Sequence, residues 1–248
     1  MTDSDLNVLE HAACPSGGSC GGQFTANTMA TVSEAIGLAL PYSASTPAPY
    51  ESRDAFCERA GHAVMEAISK NLRPRDIVTR KSLENAAVVV AASGGSTNAG
   101  LHLPAIANEA GIDFSLADVC EVFRRTPYIA DLKPGGRYVA KDLYEAGGIP
   151  ILIKALLDGG YLHGDCMTIT GKTLAENHAD VVFPTDQDVI RPTSDPLSTT
   201  GGVVGLNGNL APDGAIVKIA GQKTLQFRGP ARCFDTEVDE TSLPLQLI

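Results

Sequence analysis

A glycine-rich loop that carries two thiols and runs directly into a helix is the feature that most constrains this chain. Cys14 and Cys20 lie in the loop, and apolar residues then recur at helical spacing up to Pro41, which predicts a helix over residues 25–40. Unpaired amides and the dipole of such a helix favour a thiolate at Cys20, which can serve as a metal ligand or a nucleophile. The alternative is a buried loop cysteine. Cys14 lies farther from the helix and is expected to be structural.

A second glycine-rich turn, residues 93–98, repeats this design without cysteines. Its amides and hydroxyls precede another predicted helix, and such a turn is a ready-made site for a carboxylate or phosphate. The alternative is a tight turn in which glycine supplies a positive φ angle. The spacing matches neither a P-loop nor a dinucleotide-binding fingerprint. We expect the two loops to form parts of one site.

The remaining cysteines and the histidines do not indicate a zinc site. No C-x-x-C pair occurs, and the five histidines are scattered without ligand spacing. A chain of 248 residues is long enough to bury a core without disulfide bonds. Because free cysteine behaves as a small hydrophobic residue, we expect four further cysteines to lie in the core. These are Cys57, Cys120, Cys166 and Cys233.

The charge balance bears on the class of partner. The chain has 19 basic and 29 acidic residues, a formal net charge of −10, which disfavours nonspecific attraction to nucleic acid or to an anionic membrane surface. No apolar run approaches the roughly 20 residues that span a bilayer. The first residues lack the basic region of a secretory signal. We therefore expect a cytoplasmic protein with a small-molecule partner, and neither a nucleic acid nor a membrane.

Helical patterns extend to about residue 183, and short β-prone runs alternate with glycine turns beyond it. The apolar run 86–92 fits a buried helix or a buried strand, because periodicity cannot distinguish them. The predicted class is α/β, with a partial α/β domain at 1–183, a linker at 184–196 and a partial β domain at 197–248. Further helices are predicted at 56–72, 97–110, 116–126, 139–145 and 149–157, and β-prone runs lie at 203–204, 215–219 and 225–227.

Five sequence blocks, in order along the chain, closely resemble the dihydroxy-acid dehydratases. They are ACPSGGSCGGQFTANTM (13–29), GGSTNA (94–99), DLKP (131–134), GKTL (171–174) and GNLAPDG (208–214). The resemblance extends to about residue 240. The superfamily also contains sugar-acid dehydratases and phosphogluconate dehydratase. Sugar-acid members usually carry different residues around the position of Cys20, so the enzymes of branched-chain amino acid biosynthesis match better.

The resemblance implies an iron–sulfur cluster, either 2Fe-2S or 4Fe-4S, that is held by three cysteines, of which Cys20 matches the third. It also implies a Mg²⁺ ion that is held by carboxylates and a carbamylated lysine. In the family a serine base removes the proton next to the substrate carboxylate, the iron-bound hydroxyl leaves as water, and the enol becomes a 2-keto acid. Ser96, Thr97 and Asn98 match a family loop near the site and are the candidate substrate-binding residues. Family members are commonly homodimers.

The chain departs from the family in what it lacks. The other two cluster cysteines and most Mg²⁺ ligands precede the cysteine loop in family members, and the serine base and a later magnesium glutamate follow the last matching block. We therefore expect an internal segment, containing the second half of an α/β domain and the opening strands of a β-barrel domain, with exposed apolar surface and strand edges. Alone it should be inactive.

Two hypotheses on the function follow from this resemblance. The first is dehydration of a 2,3-dihydroxy acid of the 2,3-dihydroxy-3-methylbutanoate type in branched-chain amino acid biosynthesis, with a sugar-acid substrate as an alternative. The second is a non-catalytic remnant that binds a full-length subunit.

Overall fold

The computed structural model describes residues 1–13, 20–222, 226, 228–230 and 232–236. Within these residues, ten helices are followed by a two-stranded sheet, a mixed arrangement consistent with the α/β class. The elements are α1 (Asp3–Ala13), α2 (Thr25–Ile36), α3 (Ser52–Ser69), α4 (Pro74–Ile77), α5 (Arg80–Ala92), α6 (Ala99–Ala110), α7 (Leu116–Arg125), α8 (Ala140–Glu145), α9 (Ile149–Asp158), α10 (Leu174–Asn177), β1 (Val203–Gly208) and β2 (Ala211–Lys218). None of these helices combines the length and apolar character needed to cross a bilayer.

Helix α5 is the centre of the core. Every residue from Ala86 to Ala92 is buried, and α2, α6, α7 and β1 pack against it. The sequence left this run open between helix and strand, and the structure shows a helix. Its first turn is closed by a reciprocal pair, in which Ser82 N–H donates to Thr79 Oγ1 at 3.2 Å and Thr79 N–H donates to Ser82 Oγ at 2.8 Å. Both bonds satisfy amides that lack helical partners.

The predicted helices are present, with differences at their ends. Ser115 and Asp118 cap α7 reciprocally, as the sequence predicted, and α7 ends before Pro127. Helix α2 is shorter than predicted, because Gly37 adopts a left-handed φ of 96° and caps the helix before Pro41 is reached. Helix α1 was not predicted, because its polar composition shows no strong apolar periodicity.

Helices α1 and α3 lie outside the core. Helix α1 buries no residue, and α3 buries only Ala67 of its 18 residues. The apolar side chains of Val64, Met65 and Ile68 on α3 are exposed by 53%, 65% and 68%. The amphipathic pattern that predicted α3 therefore describes a face that the described residues of this chain do not cover.

The β region is a single antiparallel hairpin. Val203 pairs with Lys218 and Gly205 with Ile216 in register, and β1 packs against α5 and α7. The third β-prone run, 225–227, lies outside the described residues except for Gln226. The described residues contain two strands, so the β-barrel stays a prediction.

The stretch predicted as a linker packs against the helical part. Asp131 N–H donates to Val189 O at 2.8 Å, and Arg191 N–H donates to Ile129 O at 2.9 Å. Ile190 between them is only 1% exposed. Residues 189–191 are therefore held by the core, and the division into two domains remains a prediction.

A buried carboxyl group fixes the connection after α2. Glu34 is 3% exposed and accepts hydrogen bonds from the N–H groups of Tyr42 at 3.1 Å and Ala44 at 2.9 Å. Burial raises the pKa of Glu34 to about 8, although both N–H donors act in the opposite direction. This glutamate is therefore protonated in the folded chain below about pH 8.

Two leucines on α6, one exposed and one buried, test the packing of this helix against the core. Leu103 on α6 is fully buried, whereas Leu101 two residues earlier is 70% exposed. Leu103→Ala should lower the free energy of unfolding by about 2–5 kcal/mol, because it removes buried methyl groups and leaves a cavity. Leu101→Ala should change it by less than about 0.5 kcal/mol. Urea unfolding followed by circular dichroism measures both, and equal losses would contradict this packing.

Glu34 should make stability depend on pH. The folded pKa of about 8 lies above the unfolded value of roughly 4.3, so the folded state holds more protons between these limits. The contribution is fully present below about pH 4.3 and is lost as the pH rises through about 8, by up to about 1.4 kcal/mol per pH unit.

The measurement is urea unfolding at several pH values between 5 and 8. Glu34→Gln should flatten the fall in stability, because the amide does not titrate. The exposed Glu58→Gln is the matched control and should keep the slope of the unmodified chain. A slope that survives in Glu34→Gln would assign the pH dependence to other groups.

Candidate functional site

Cys20 lies half-buried, five positions before the first residue of α2. Its Sγ donates to Gly22 O at 3.4 Å. The Asn27 side chain reaches back from α2, and its Nδ2 donates to Cys20 O at 2.8 Å and to Gly22 O at 2.7 Å. The helix therefore holds the backbone of residues 20–22 in place, so the position of the thiol is fixed by α2.

The cysteine loop also rests on the segment that carries the DLKP block. Gln23 N–H donates to Lys133 O at 2.6 Å, and Ala140 N–H donates to Gly21 O at 2.9 Å. A Cβ atom at Gly22 would lie 2.8 Å from Lys133 O, closer than real Cβ atoms approach. Glycine at position 22 is therefore required by the close contact of two backbones.

The second glycine-rich loop packs directly on the first turns of α2. Ser96 N–H donates to Thr28 Oγ1 at 2.9 Å, and Asn98 Nδ2 donates to Thr25 Oγ1 at 2.8 Å. A Cβ atom at Gly95 would lie 2.9 Å from Thr28 Cγ2, so this glycine permits the contact. The second loop and the described end of the cysteine loop therefore both contact α2, and their joint role in one site stays a prediction.

Gln23 joins the two loops through its side chain. Its Nε2 donates to Ser93 Oγ at 3.0 Å and to Thr31 Oγ1 at 3.2 Å, and the residue is 2% exposed. Gly94 has a φ of 60°, so the turn is also the tight, positive-φ turn that the sequence offered as the alternative to an anion site. The turn geometry and the candidate anion site are thus compatible.

The loops open onto different cavities. Cys20 lines a cavity of about 500 Å³ together with hydroxyl-bearing residues and two cations. Ser96, Thr97 and Asn98 line a second cavity of about 370 Å³. Cys20 and the 96–98 turn are therefore both held by α2 but line separate cavities. The larger cavity includes Thr31, Ser43, Thr46, Arg53, Cys57 and Lys141.

Two residues at these cavities were not predicted from the sequence. Cys57 on α3 lines the same cavity as Cys20, and Lys218 on β2 lines the cavity of Ser96. No local spacing could show either contact, since Lys218 meets Gln23 across 195 positions. The one pattern that pointed to Lys218 is that it is the single charged residue in the apolar run 215–219.

The other cysteines differ partly from expectation. Cys166 is buried as predicted, and burial raises the pKa of its thiol to about 11, so it remains protonated. Cys120 is half-buried, and burial raises the pKa of its thiol as well. Cys57 and Cys233 are exposed, so their assignment to the core was wrong. Cys57 is exposed because α3 buries so little of its surface. Cys14 lies outside the described residues.

The described residues do not by themselves fit an iron–sulfur cluster or a Mg²⁺ ion. A cluster of this kind needs several thiolates, and no group of three His, Cys, Asp or Glu side chains converges in the part of the chain that the structure describes. Asp131, the first residue of the DLKP block, is 7% exposed but is bonded to Arg137, which also contacts Asp188 at 2.8 Å. This carboxylate therefore serves an ion pair, and Cys20 remains a single candidate ligand.

Comparison with known proteins places these observations in a family. The family model for the dihydroxy-acid/6-phosphogluconate dehydratase N-terminal domain matches residues 1–177. The model for the C-terminal domain of the same enzymes matches residues 188–243. Both glycine-rich loops fall in the first match, and Lys218 falls in the second.

Curated relatives agree with the family models. The chain is 70% identical over 239 residues to dihydroxy-acid dehydratase 2 of Bradyrhizobium diazoefficiens, covering 96% of this chain and 42% of that protein. It is 69% identical, with the same coverage, to a dihydroxy-acid dehydratase of Parvibaculum lavamentivorans. It is 66% identical over 240 residues to that of Dinoroseobacter shibae, again covering 96% of this chain and 42% of the relative. The chain thus spans 42% of the length of these relatives, and it belongs to the dihydroxy-acid/6-phosphogluconate dehydratase family.

Proposed function

We propose that the enzyme to which these residues belong dehydrates a 2,3-dihydroxy carboxylic acid in branched-chain amino acid biosynthesis, in the cytoplasm. With 2,3-dihydroxy-3-methylbutanoate, the C2 proton and the C3 hydroxyl leave as water, and the enol becomes 3-methyl-2-oxobutanoate. The observation that carries the proposal is the identity of 66–70% to proteins named dihydroxy-acid dehydratase. That name also favours this substrate over a sugar acid.

We assign to Cys20 the role of one ligand of the iron–sulfur cluster, either 2Fe-2S or 4Fe-4S. Its half-buried thiol, its position on a cavity wall and its backbone held by Asn27 support this role. The remaining cluster ligands and the Mg²⁺ ligands would come from outside the described residues. No group of His, Cys, Asp and Glu side chains in the described ranges could replace them.

Substrate binding is assigned to Ser96, Thr97 and Asn98, which line a cavity beside the start of α2. The enzyme would be a homodimer that acts on a small molecule. Residues 1–183 would belong to an α/β domain and residues 197–248 to a β-barrel domain, joined by residues 184–196. The buried packing of Ile190 supports a tight junction between them.

A second candidate function is association with a full-length dehydratase subunit without catalysis. The exposed apolar side chains of Val64, Met65 and Ile68 on α3 favour it, because such a face is typical of a surface that another chain covers. Catalysis by the isolated chain would exclude this reading.

The isolated 248-residue chain should hold no complete cluster and should not turn over. A cluster of this kind needs three cysteines that converge, and no three His, Cys, Asp or Glu side chains do so in the described ranges. After anaerobic reconstitution, iron, acid-labile sulfide and the formation of 3-methyl-2-oxobutanoate are measured. Stoichiometric cluster together with turnover would show that the chain is a complete enzyme and would reject the single-ligand assignment.

The role of Cys20 is tested in a complete enzyme. In the Bradyrhizobium relative, the 239 matching residues are replaced by those of this chain, which is 70% identical there. This chimera should be active, and Cys20→Ser in it should reduce iron, sulfide and dehydration rate by about a hundredfold or more, because a lost ligand exposes the cluster to loss.

Cys57→Ser is the matched control for that chimera, because Cys57 lines the same cavity but is exposed. It should leave iron, sulfide and rate within about twofold of the chimera, as surface substitutions usually do. If both variants keep the cluster, Cys20 is not a ligand. If the chimera itself folds but does not dehydrate the acid, the proposed function is wrong for this sequence.

A further inference from the structure

Lys218 brings a positive charge from β2 to the cavity beside Ser96. It is half-buried, and its Nζ donates to the backbone carbonyl of Gln23 at 3.3 Å. The cavity of about 370 Å³ is lined by this lysine, by side chains of both loops and by Pro134. A residue from the C-terminal family domain thus completes a cavity that the N-terminal domain begins.

The ammonium group of Lys218 has no carboxylate partner among the described residues. The ion pairs of the described chain do not include it, and no acidic side chain lines its cavity. Burial lowers the pKa of Lys218, which reflects the cost of keeping this cation away from water. A half-buried cation with only a carbonyl as partner is partly desolvated, and an anion in the cavity would offset that cost.

The hydroxyls of this cavity also present a hydrogen-bond donor. Ser96 Oγ accepts two bonds from Asn98, from its backbone N–H at 3.2 Å and from Nδ2 at 3.1 Å. Both acceptor positions of Ser96 are thereby used, so in its 3.2 Å contact with Thr25 the serine is the donor. The hydroxyl hydrogen of Thr25 is left to point to another acceptor.

We propose that Lys218 and the Thr25 hydroxyl bind the carboxylate of a small organic acid in this cavity. The cavity combines a cation and a hydroxyl donor with a lining that contains no acidic side chain, which favours a negatively charged pair of oxygens. Thr97, an exposed lining residue, adds a second hydroxyl. The volume of about 370 Å³ suits an acid of a few carbons. The proposal rests on the proposed function only for the identity of the acid, a 2-keto or 2,3-dihydroxy acid.

Binding to the complete 248-residue chain tests this without turnover. The probes are 3-methyl-2-oxobutanoate, the neutral 3-methyl-2-butanone, which lacks the carboxylate, and inorganic phosphate, each titrated by calorimetry. The keto acid should bind saturably and the ketone should not. Lys218→Met should weaken binding of the acid by about ten- to a hundredfold, because a charge-assisted bond is lost while the apolar stem is kept.

Three further variants separate the charge at the site from charge elsewhere and test the hydroxyl donor. Lys218→Arg should retain most of the affinity, since it keeps the cation. Lys172→Met removes the same charge from an exposed position away from the cavity and should bind the acid as the unmodified chain does. Thr25→Val should weaken binding by about tenfold, through loss of one hydroxyl donor.

The outcomes decide the proposal. It is overturned if the chain binds no keto acid, if Lys218→Met binds it as tightly as the unmodified chain, or if only phosphate binds. If the isolated chain does not remain folded, the same variants in the Bradyrhizobium chimera give the answer, where Lys218→Met should raise KM for the dihydroxy acid about tenfold or more and Lys172→Met should not. Cys20→Ser should lower turnover there by about a hundredfold or more and leave binding of the acid intact, so failure of this proposal and failure of the proposed function are distinguishable.

Discussion

The close contact between the second glycine-rich loop and the first turns of α2 is the constraint on which the rest of the site depends. This loop is the end of the core helix α5, since the N–H groups of Ser93 and Gly95 still donate to the carbonyls of Val89 and Val90. A helix whose last eight residues are all buried thus presents the loop to α2. Side chains larger than hydrogen at Gly95 would separate the two elements.

From this contact the positions of both candidate groups follow. Helix α2 holds the cysteine loop through Asn27, and α5 holds the hydroxyl-bearing turn. Gln23 lies between the two cavities, with its side chain on Ser93 and its carbonyl on Lys218. Cys20 and Lys218 are therefore both positioned by the backbone of residues 20–27, although they lie far apart in the sequence.

The sequence predicted much of this arrangement, and the exceptions have physical causes. Local rules sufficed for the Ser115 cap of α7, which depends on neighbouring residues, and for the β-prone runs at 203–204 and 215–219, which lie in β1 and, up to Lys218, in β2. The pairing of these runs as a hairpin was not predicted. Local rules could not decide the structure of residues 86–92, since a segment buried on all sides has no polar face and hence no period. Both Gly37 and Pro41 can end a helix, and α2 ends at the first of them, because Gly37 adopts the left-handed conformation of a C-cap.

The sequence pointed to the two glycine-rich loops but not to the residues that distant segments bring to them. The two loops were found because glycine, thiol and hydroxyl groups recur within a few positions in each. Lys218 and Cys57 were missed because their contacts join distant segments, and burial of a side chain by residues far along the chain leaves no local trace. The exposure of Cys57 follows from tertiary packing of α3, which an amphipathic pattern does not reveal.

The isolated position of α3 has a consequence for how the chain opens. An 18-residue helix with one buried side chain gains little from tertiary packing, so its hydrogen bonds open at a low free energy. Helix α5 is buried from Asn85 to Ala92, and we expect its amide hydrogens there to exchange only when the core as a whole is disrupted. We therefore expect the wall of the Cys20 cavity that α3 supplies to open at a lower free energy than the wall that α2 supplies, which packs against α5.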